Sequence, residues 1–385
     1  MIIARGPANA TGSGELPFVV DVTVLMSHRF DVTVRFHTGY GCMTTRSTTT
    51  LLCLLLTLGL ATCAATNTQG QELADVQELA DVLRSDAQPI TEPPCSYCST
   101  QHRKSLINNE DRVIAWLRAA HNGGAFPIRH FLAGPRVVND TYGLFFYDPN
   151  SQFVAAYKKD YGYKLYGSRR GVMLVQGRDG TLWSALTGKA ISGPQQGKQL
   201  QRIPNLVTDW GYWLMLHPES TTYDLFDGKK YTPQTLPTSL DKAVESSLGQ
   251  VDQRLGATEM VLGVEFDSGP KAYSLVGLPQ RACLLDQAGD QPLAVFWYAG
   301  TNTSVAFDRR VDGRTLTLYA DEISPESAPF KDKETGTRWT IAGRAVDGPL
   351  RGKELTWVNS IQCRWYAWAA EYPQTLLFDA AAKAE

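Results

Sequence analysis

The sequence predicts an α+β fold that is rich in β-structure, with two homologous lobes of antiparallel strands and a few short helices. Three observations support this: an ordinary globular composition, a long internal repeat, and short segments in which apolar residues alternate. Of the 385 residues, 43% are hydrophobic and 20% are charged, as in soluble globular chains. The net charge of −2 argues against a nucleic-acid partner, because phosphate neutralisation needs a basic surface.

The repeat relates two segments that lie about 155 residues apart. Glycine, tryptophan and proline recur at matched positions in both segments. The clearest pairs are Trp183 with Trp339, Gly188 with Gly343, Gly193 with Gly348, Trp210 with Trp365, and Trp213 with Trp368. A period of this length predicts a duplicated domain, because solenoid repeats are far shorter.

Each copy of the repeat predicts the same local elements. Residues 181–183 and 337–339 are expected to be short strands, followed by turns at glycine. Residues 209–216 and 364–371 are expected to be short amphipathic helices, since tryptophans at i and i+3 share one helical face. These tryptophans are interpreted as core residues.

Three further segments have recognisable patterns. Residues 110–121 are predicted to be a helix, with Asn109 as its N-cap and apolar residues on one face. Another helix is predicted at 241–248. Alternating apolar residues predict half-buried strands at 261–266 and 314–319.

A secretory signal peptide is predicted at residues 43–65. The apolar run at 51–60 is too short to cross a bilayer, which needs about 20 apolar residues. It follows Met43 and Arg46 and precedes small residues, so cleavage is expected after Ala64 or Ala65. Export to the periplasm or cell surface is the expected localisation, with no transmembrane span after cleavage.

The predicted signal peptide divides the chain into unequal parts. Residues 1–42 are interpreted as an extension from a mis-called start, and residues 66–94 as a linker. Residues 95–230 are predicted to hold the N-terminal helix and the first repeat. A second linker at 231–258 then leads to the second repeat at 259–385. Cys63 also ends a lipobox-like LATC sequence, which leaves lipoprotein anchoring open.

Four cysteines follow the predicted cleavage point: Cys95, Cys98, Cys283 and Cys363. Cys283 and Cys363 are expected to be either buried free thiols or a disulfide. Cys95 and Cys98 form a C-x-x-C pair. Three interpretations of this pair stay open: a structural or inert pair, part of a metal site, and a redox pair.

One metal site can be composed from nearby residues. Its ligands would be Cys95, Cys98, His102, His121 and His130, all within a short stretch of the chain. Thiolate and imidazole ligands suit zinc or copper. The spacing matches no standard zinc signature.

Several stretches resemble the bacterial DUF3179 family, a domain of unknown function. In the second repeat they are VLGVEFDSGPKAYSL at 261–275, SVAFDRRVDGRTLTL at 304–318 and TGTRW at 335–339. In the first repeat they are FFYDP at 145–149 and GTLWSALTGKAISGP at 180–194. The resemblance implies two tandem divergent copies of this domain.

The chain departs from the family at residues that could carry chemistry. Family members often have a Cys-Pro-Leu-Cys turn, where this chain has DPNS at 148–151 and YAGT at 298–301. An earlier Trp-His-Glu triplet is replaced by GPR at 134–136 and QRA at 280–282. The family's thiols and acid/base groups therefore cannot be transferred to this sequence.

The leading functional prediction is an exported, non-enzymatic binding or assembly module, with an envelope protein or a small ligand as partner. The alternative is a metal- or thiol-handling envelope protein that uses Cys95 and Cys98. Asp148, Asp179, Asp209 and His217 are the other candidates for acid/base chemistry, and no spacing pairs them. No nucleophile elbow, Walker A, dinucleotide fingerprint or zincin motif is present in the sequence.

Overall fold

A computed structural model describes residues 20–23, 33–36, 82–85, 87–91, 107–119, 122–131, 134–160, 162–222 and 238–379. The chain forms two compact units, Met1–Ala74 and Asp75–Glu385. In the first unit, β1 (Val20–Thr23) pairs antiparallel with β2 (Thr33–Phe36). The predicted signal peptide and Cys63 lie outside the described residues.

The second unit begins with two short strands, β3 (Leu83–Arg84) and β4 (Ile90–Thr91), which lie in the predicted linker. The N-half, residues 107–222, then contributes eleven strands and one helix. They are β5 (Arg112–Ala119), β6 (Asn122–Pro127), β7 (Arg136–Asp140), β8 (Gly143–Asp148), β9 (Phe153–Tyr157), β10 (Lys164–Arg169), β11 (Val172–Gln176), β12 (Leu182–Ser184), β13 (Ala190–Ser192), β14 (Leu206–Asp209), α1 (Trp210–Leu216) and β15 (Thr221–Thr222).

Helix α2 (Lys242–Ser247) follows, close to the predicted helix at 241–248, and the Asp241 side chain caps it. The C-half, residues 260–377, then contributes thirteen strands and one helix. They are β16 (Met260–Phe266), β17 (Gly269–Ser274), β18 (Arg281–Ala288), β19 (Gln291–Tyr298), β20 (Thr303–Asp308), β21 (Arg310–Val311), β22 (Arg314–Thr315), β23 (Leu318–Ala320), β24 (Phe330–Asp332), β25 (Arg338–Trp339), β26 (Thr356–Trp357), β27 (Ser360–Arg364), α3 (Trp365–Glu371) and β28 (Leu376–Leu377).

The fold is rich in β-structure, as predicted, and its sheets are mostly antiparallel. The two halves contain sheets of the same strand order, β14-β5-β6-β15 and β27-β16-β17-β28. The pairings agree in direction, antiparallel throughout except for the last strand of each sheet. Residues at the same place in these two patterns are called corresponding positions below. The two tandem copies themselves stay a prediction.

The large cores do not coincide with the halves. One core combines Phe146, Phe153 and Trp183 of the N-half with Trp365 and Trp368 of α3. The other combines C-half residues, among them Phe296, Phe307, Phe330 and Trp339, with helix α1 and with Val113, Ala115, Ala125 and Leu206 of the N-half sheet. Each half therefore contributes its helix, together with strands of the helix's own sheet, to a core that it shares with the other half. The predicted core role of the four helical tryptophans is confirmed.

The helix predicted at 110–121 is wrong, because most of that segment is strand β5. Val113 and Ala115 join the core that contains α1, whereas Ile114 and Trp116 join a third cluster on the opposite face of the sheet. Burial on both faces with a period of two residues is a strand pattern. Pairing with β6 and β14 then satisfies the backbone.

Both short amphipathic helices are confirmed, at α1 and α3. The predicted strands near 182, 261 and 338 are confirmed as well, as β12, β16 and β25. Within the described ranges, none of the helices is both long and apolar enough to cross a membrane.

Candidate binding pocket

The predicted metal ligands fall almost entirely outside the described residues. Cys95, Cys98, His102 and His121 lie there, and so does the side chain of His130, whose backbone belongs to a 3₁₀ turn at Ile128–Phe131. In the part of the chain that the structure describes, no cluster of three or more His, Cys, Asp or Glu residues could hold a metal. The zinc or copper site therefore stays a prediction.

Cys283 and Cys363 are free thiols, one of the two alternatives that the sequence left open. Cys363 is fully buried beside Trp368, and burial raises the pKa of its thiol to about 12. Burial also raises the pKa of Cys283 far above its ordinary value. Because the thiolate is the reactive form, these raised pKa values lower the reactivity of both cysteines at neutral pH.

The turn at residues 148–151 is fixed by hydrogen bonds. Asp148 accepts hydrogen bonds from the Ser151 hydroxyl at 2.5 Å and from the Asn150 amide at 3.0 Å. Arg364, from the other half, donates to the Asn150 carbonyl at 2.8 Å. Burial raises the pKa of Asp148, and these hydrogen bonds oppose that rise.

The corresponding turn at residues 298–301 is held in a similar way. The Arg112 guanidinium, from the opposite half, donates to the carbonyls of Thr301 and Asn302. Arg112 also pairs with Asp209 at 3.1 Å. At both turns, backbone carbonyls thus accept hydrogen bonds from an arginine of the other half. These contacts stabilise the packing of the two halves.

The other acid/base candidates have separate surroundings. Asp179 accepts hydrogen bonds from the Gln195 side chain and the Thr181 amide, which lower its pKa and fix a turn. Asp209 is bound to Arg112. His217 is buried with its ring 4.3 Å from that of Trp213, one helical turn earlier. Asp148, Asp179 and Asp209 thus lie in three separate hydrogen-bond networks.

A pocket of about 230 Å³ opens where α1 meets the C-half. Three tryptophans are among its lining residues: Trp116 on β5, Trp213 on α1 and Trp357 on β26. The Trp116 ring itself packs on the other face of the sheet, against Phe126 and Phe145. Val305, Phe307 and Leu355 add apolar surface, while His217, Asn205, Arg344 and Glu354 are its main polar groups. Predominantly apolar walls with a few polar groups are typical of small-molecule sites.

The pocket depends on a glycine in the segment before β26. Gly343 has a φ of 78° and lies against Phe307, so a Cβ atom there would meet the ring at 2.7 Å. The Gly343 carbonyl accepts a hydrogen bond from the Leu355 amide, and the Thr340 amide donates one to the Arg344 carbonyl. This segment therefore holds the Arg344 backbone firmly beside the pocket.

A larger groove of about 990 Å³ runs along α2 and the segment 249–253. Its lining consists mainly of small and polar residues, including Ser246, Ser247 and Gln250, and it contains one aromatic residue, Tyr366. It therefore lacks the aromatic walls of the smaller pocket, and we regard the smaller pocket as the candidate site.

The corresponding place on the other side of the molecule is occupied by charged side chains. Lys189 corresponds to Arg344, Arg202 to Trp357, and Glu265 to Leu117. Glu265 lies 3.9 Å from the Lys189 ammonium and 4.0 Å from the Arg202 guanidinium. Where one side has a charge cluster, the other side has a pocket.

The sequence does not predict this pocket. The three tryptophans are far apart in the chain, and they lie around one pocket only because β5 and α1 of the N-half pack beside β26 of the C-half. An alignment of the two halves would indicate it, because Leu117 then takes the place of Glu265 and Trp357 takes the place of Arg202. That alignment requires β5 and β16 to be matched, and the prediction of a helix at 110–121 prevents the match.

Comparison with known proteins identifies a family and no closer relative. The model of DUF3179, described as a protein of unknown function, matches residues 89–375. No curated protein and no solved structure matches the chain. The match covers most of the chain, in agreement with the resemblance found in the sequence, and it does not divide the chain into two copies.

Proposed function

Because the chain belongs to the DUF3179 family, whose function is unknown, we propose from the geometry alone that it is a non-enzymatic binding protein. Its ligand is a small molecule with an apolar body, held in the tryptophan-lined pocket between α1 and the C-half. Its aromatic lining residues Trp213, Phe307 and Trp357 are the observation that carries this proposal. A cavity of about 150 Å³ is known to bind benzene, so this pocket accommodates one ring with a short chain.

Two observations favour binding over catalysis. Asp148 and Asp179 accept hydrogen bonds within turns, and Asp209 forms an ion pair with Arg112. The three carboxylates do not share a hydrogen-bond partner in these contacts. The pocket itself contains an imidazole, a guanidinium and a carboxylate, but its surface is dominated by indole and aliphatic groups. Such a surface holds a ligand by burial of apolar area.

Binding can be measured with 3-phenylpropan-1-ol, a neutral probe of suitable size, by calorimetry and by quenching of tryptophan fluorescence. We expect a Kd of about 1 mM or tighter. Trp357→Ala removes one wall and is expected to weaken binding about tenfold, since apolar burial is lost. Trp357→Phe retains an aromatic wall and is expected to bind nearly as well as the natural chain.

Ile323→Ala is the matched control, because Ile323 is 90% exposed and does not line the pocket. It should leave the Kd unchanged. Absence of probe binding, or equal binding by the natural chain and Trp357→Ala, would contradict the pocket as the binding site. Thermal unfolding of each variant verifies that it is folded.

We also propose that the protein is exported. The support is the sequence of residues 43–65, with its charged start, apolar run and small residues. When the full chain is expressed and the cells are fractionated, the exported fraction should contain a chain that begins at Ala65 or Thr66. Leu54→Arg, within the apolar run, is expected to leave the precursor uncut.

The mass of the new N-terminus distinguishes the outcomes. A lipid-modified Cys63 at the start of the chain would indicate a lipoprotein instead of a soluble exported form. An intact N-terminus in the cytosolic fraction would contradict export. Leu54→Ala is the control, because alanine keeps the run apolar and cleavage should continue.

A further inference from the structure

We propose that the ligand of this pocket is an anion, a carboxylate attached to a single aromatic or branched apolar group, and that Arg344 binds the carboxylate. This inference rests on the proposed binding function and adds the ligand's charge. It comes from the difference between the pocket and the charge cluster at the corresponding place.

In the charge cluster, the cation at the Arg344 position has acidic neighbours. The Lys189 ammonium lies 3.9 Å from Glu265 and 4.8 Å above the ring of Tyr372. Glu371 is a second acid close by: burial raises its pKa, and hydrogen bonds from Ser184 and Thr187 and the charge of Lys189 oppose that rise. Glu265 is thus the acid in direct reach of both cations of this cluster.

In the pocket, both acidic positions are apolar. Leu117 on β5 occupies the place of Glu265, and Leu216 at the end of α1 occupies the place of Glu371. The cation itself remains, as Arg344, and it is only half-exposed. Among the described residues, the Arg344 guanidinium has no hydrogen bond and no ion pair.

Glu354 is the one acid that lines the pocket, and its position explains why it does not neutralise Arg344. The two residues lie opposite each other in an isolated antiparallel bridge. Glu354 is exposed to solvent, and among the residues described its carboxylate makes no ion pair. Exposed pairs of this kind contribute little, so Glu354 is a weak competitor for an incoming anion.

A carboxylate fits the unpaired guanidinium. A cation beside apolar walls without a counter-ion is unfavourable. Guanidinium binds carboxylate through two parallel, charge-assisted hydrogen bonds, so a carboxylate supplies the counter-ion that Arg344 lacks.

The test compares three probes that differ only in charge: 3-phenylpropionate, 3-phenylpropan-1-ol and 3-phenylpropylamine. For the natural chain, we expect the anion to bind about tenfold or more tightly than the alcohol, because charge-assisted hydrogen bonds are the stronger kind. The amine should bind most weakly. The preference should decrease with added salt.

Leu117→Glu places a carboxylate where Glu265 lies in the charge cluster. It is expected to neutralise Arg344 and abolish the preference for 3-phenylpropionate, while binding of the alcohol persists. Leu117→Gln is the matched control and should keep the preference. Leu117 is 45% exposed, so both variants should fold.

Arg344→Gln should remove the preference in the same way, and Glu354→Gln should strengthen anion binding. If Arg344→Gln keeps the natural ratio of anion to alcohol affinity, Arg344 does not bind the anion and this inference is wrong. Alcohol binding would then still support the pocket as a site. If none of the probes binds at about 10 mM, the proposed function and this inference fail together.

Discussion

Trp368→Ala is expected to lower the free energy of unfolding by about 4 kcal/mol, as full truncation of a buried tryptophan does. Trp368 is 1% exposed and belongs to the core formed with the N-half. Its indole donates to the Thr375 hydroxyl at 2.8 Å, so truncation also removes that hydrogen bond. Urea unfolding followed by circular dichroism measures the loss.

The same substitution is expected to preserve a single unfolding transition for both halves. Helix α3 and strands of its own sheet share one core with N-half residues, and α1 and strands of its own sheet share the other core with C-half residues. Neither half can therefore lose its core without exposing the helix of the other. Two separate transitions, with only one half unfolded first, would contradict this coupling.

Two other substitutions complete the experiment. Trp213→Ala, at the corresponding position of α1, should have a similar effect because Trp213 is buried in the other core. Leu376→Ala should change stability by less than about 0.5 kcal/mol, since Leu376 is 64% exposed. Equal destabilisation by Leu376→Ala would mean that the effect of Trp368→Ala does not arise from core packing.

The sharing of both cores by the two halves also shows how far the sequence could predict the fold. The spacing of Trp210 and Trp213, and of Trp365 and Trp368, is sufficient to predict two short helices with one buried face. It contains no information about which core receives each helix. That choice depends on tertiary geometry, which no local spacing in the sequence records.

The incorrect prediction of a helix at 110–121 has a related cause. Its apolar residues satisfy a helical spacing, but they are also consecutive, and a segment buried on both faces shows both patterns. Pairing with β14, from about 95 residues later in the chain, decides in favour of the strand. The family resemblance was predictable because the glycines and tryptophans of the repeat are local signals.

Arg112→Met is expected to lower the free energy of unfolding by about 3 kcal/mol. Arg112 joins three parts of the molecule, because it pairs with Asp209 and donates to the Thr301 and Asn302 carbonyls of the other half. Its side chain is only 19% exposed, so its removal leaves a poorly hydrated carboxylate, and each of the two carbonyls loses one of its donors. Denaturant unfolding again provides the measurement.

The corresponding positions supply a rescue. Where the N-half has Arg112 and Asp209, the C-half has Met260 and Arg364, so the arginine lies on the neighbouring strand. Arg364 reaches the turn at 148–151 from that strand. The double variant Arg112→Met/Asp209→Arg copies this arrangement and should recover at least half of the lost stability, because it removes the unpaired acid and restores a donor to the turn at 298–301.

Arg112→Met/Asp209→Leu separates these two contributions. It removes the unpaired acid without restoring a donor, so its stability should lie between that of Arg112→Met and that of the rescued variant. If the Leu and Arg double variants are equally stable, the arginine contributes nothing to the turn. If neither double variant is more stable than Arg112→Met, burial of Asp209 is not the source of the loss, and the two turns do not depend on interchangeable arginines.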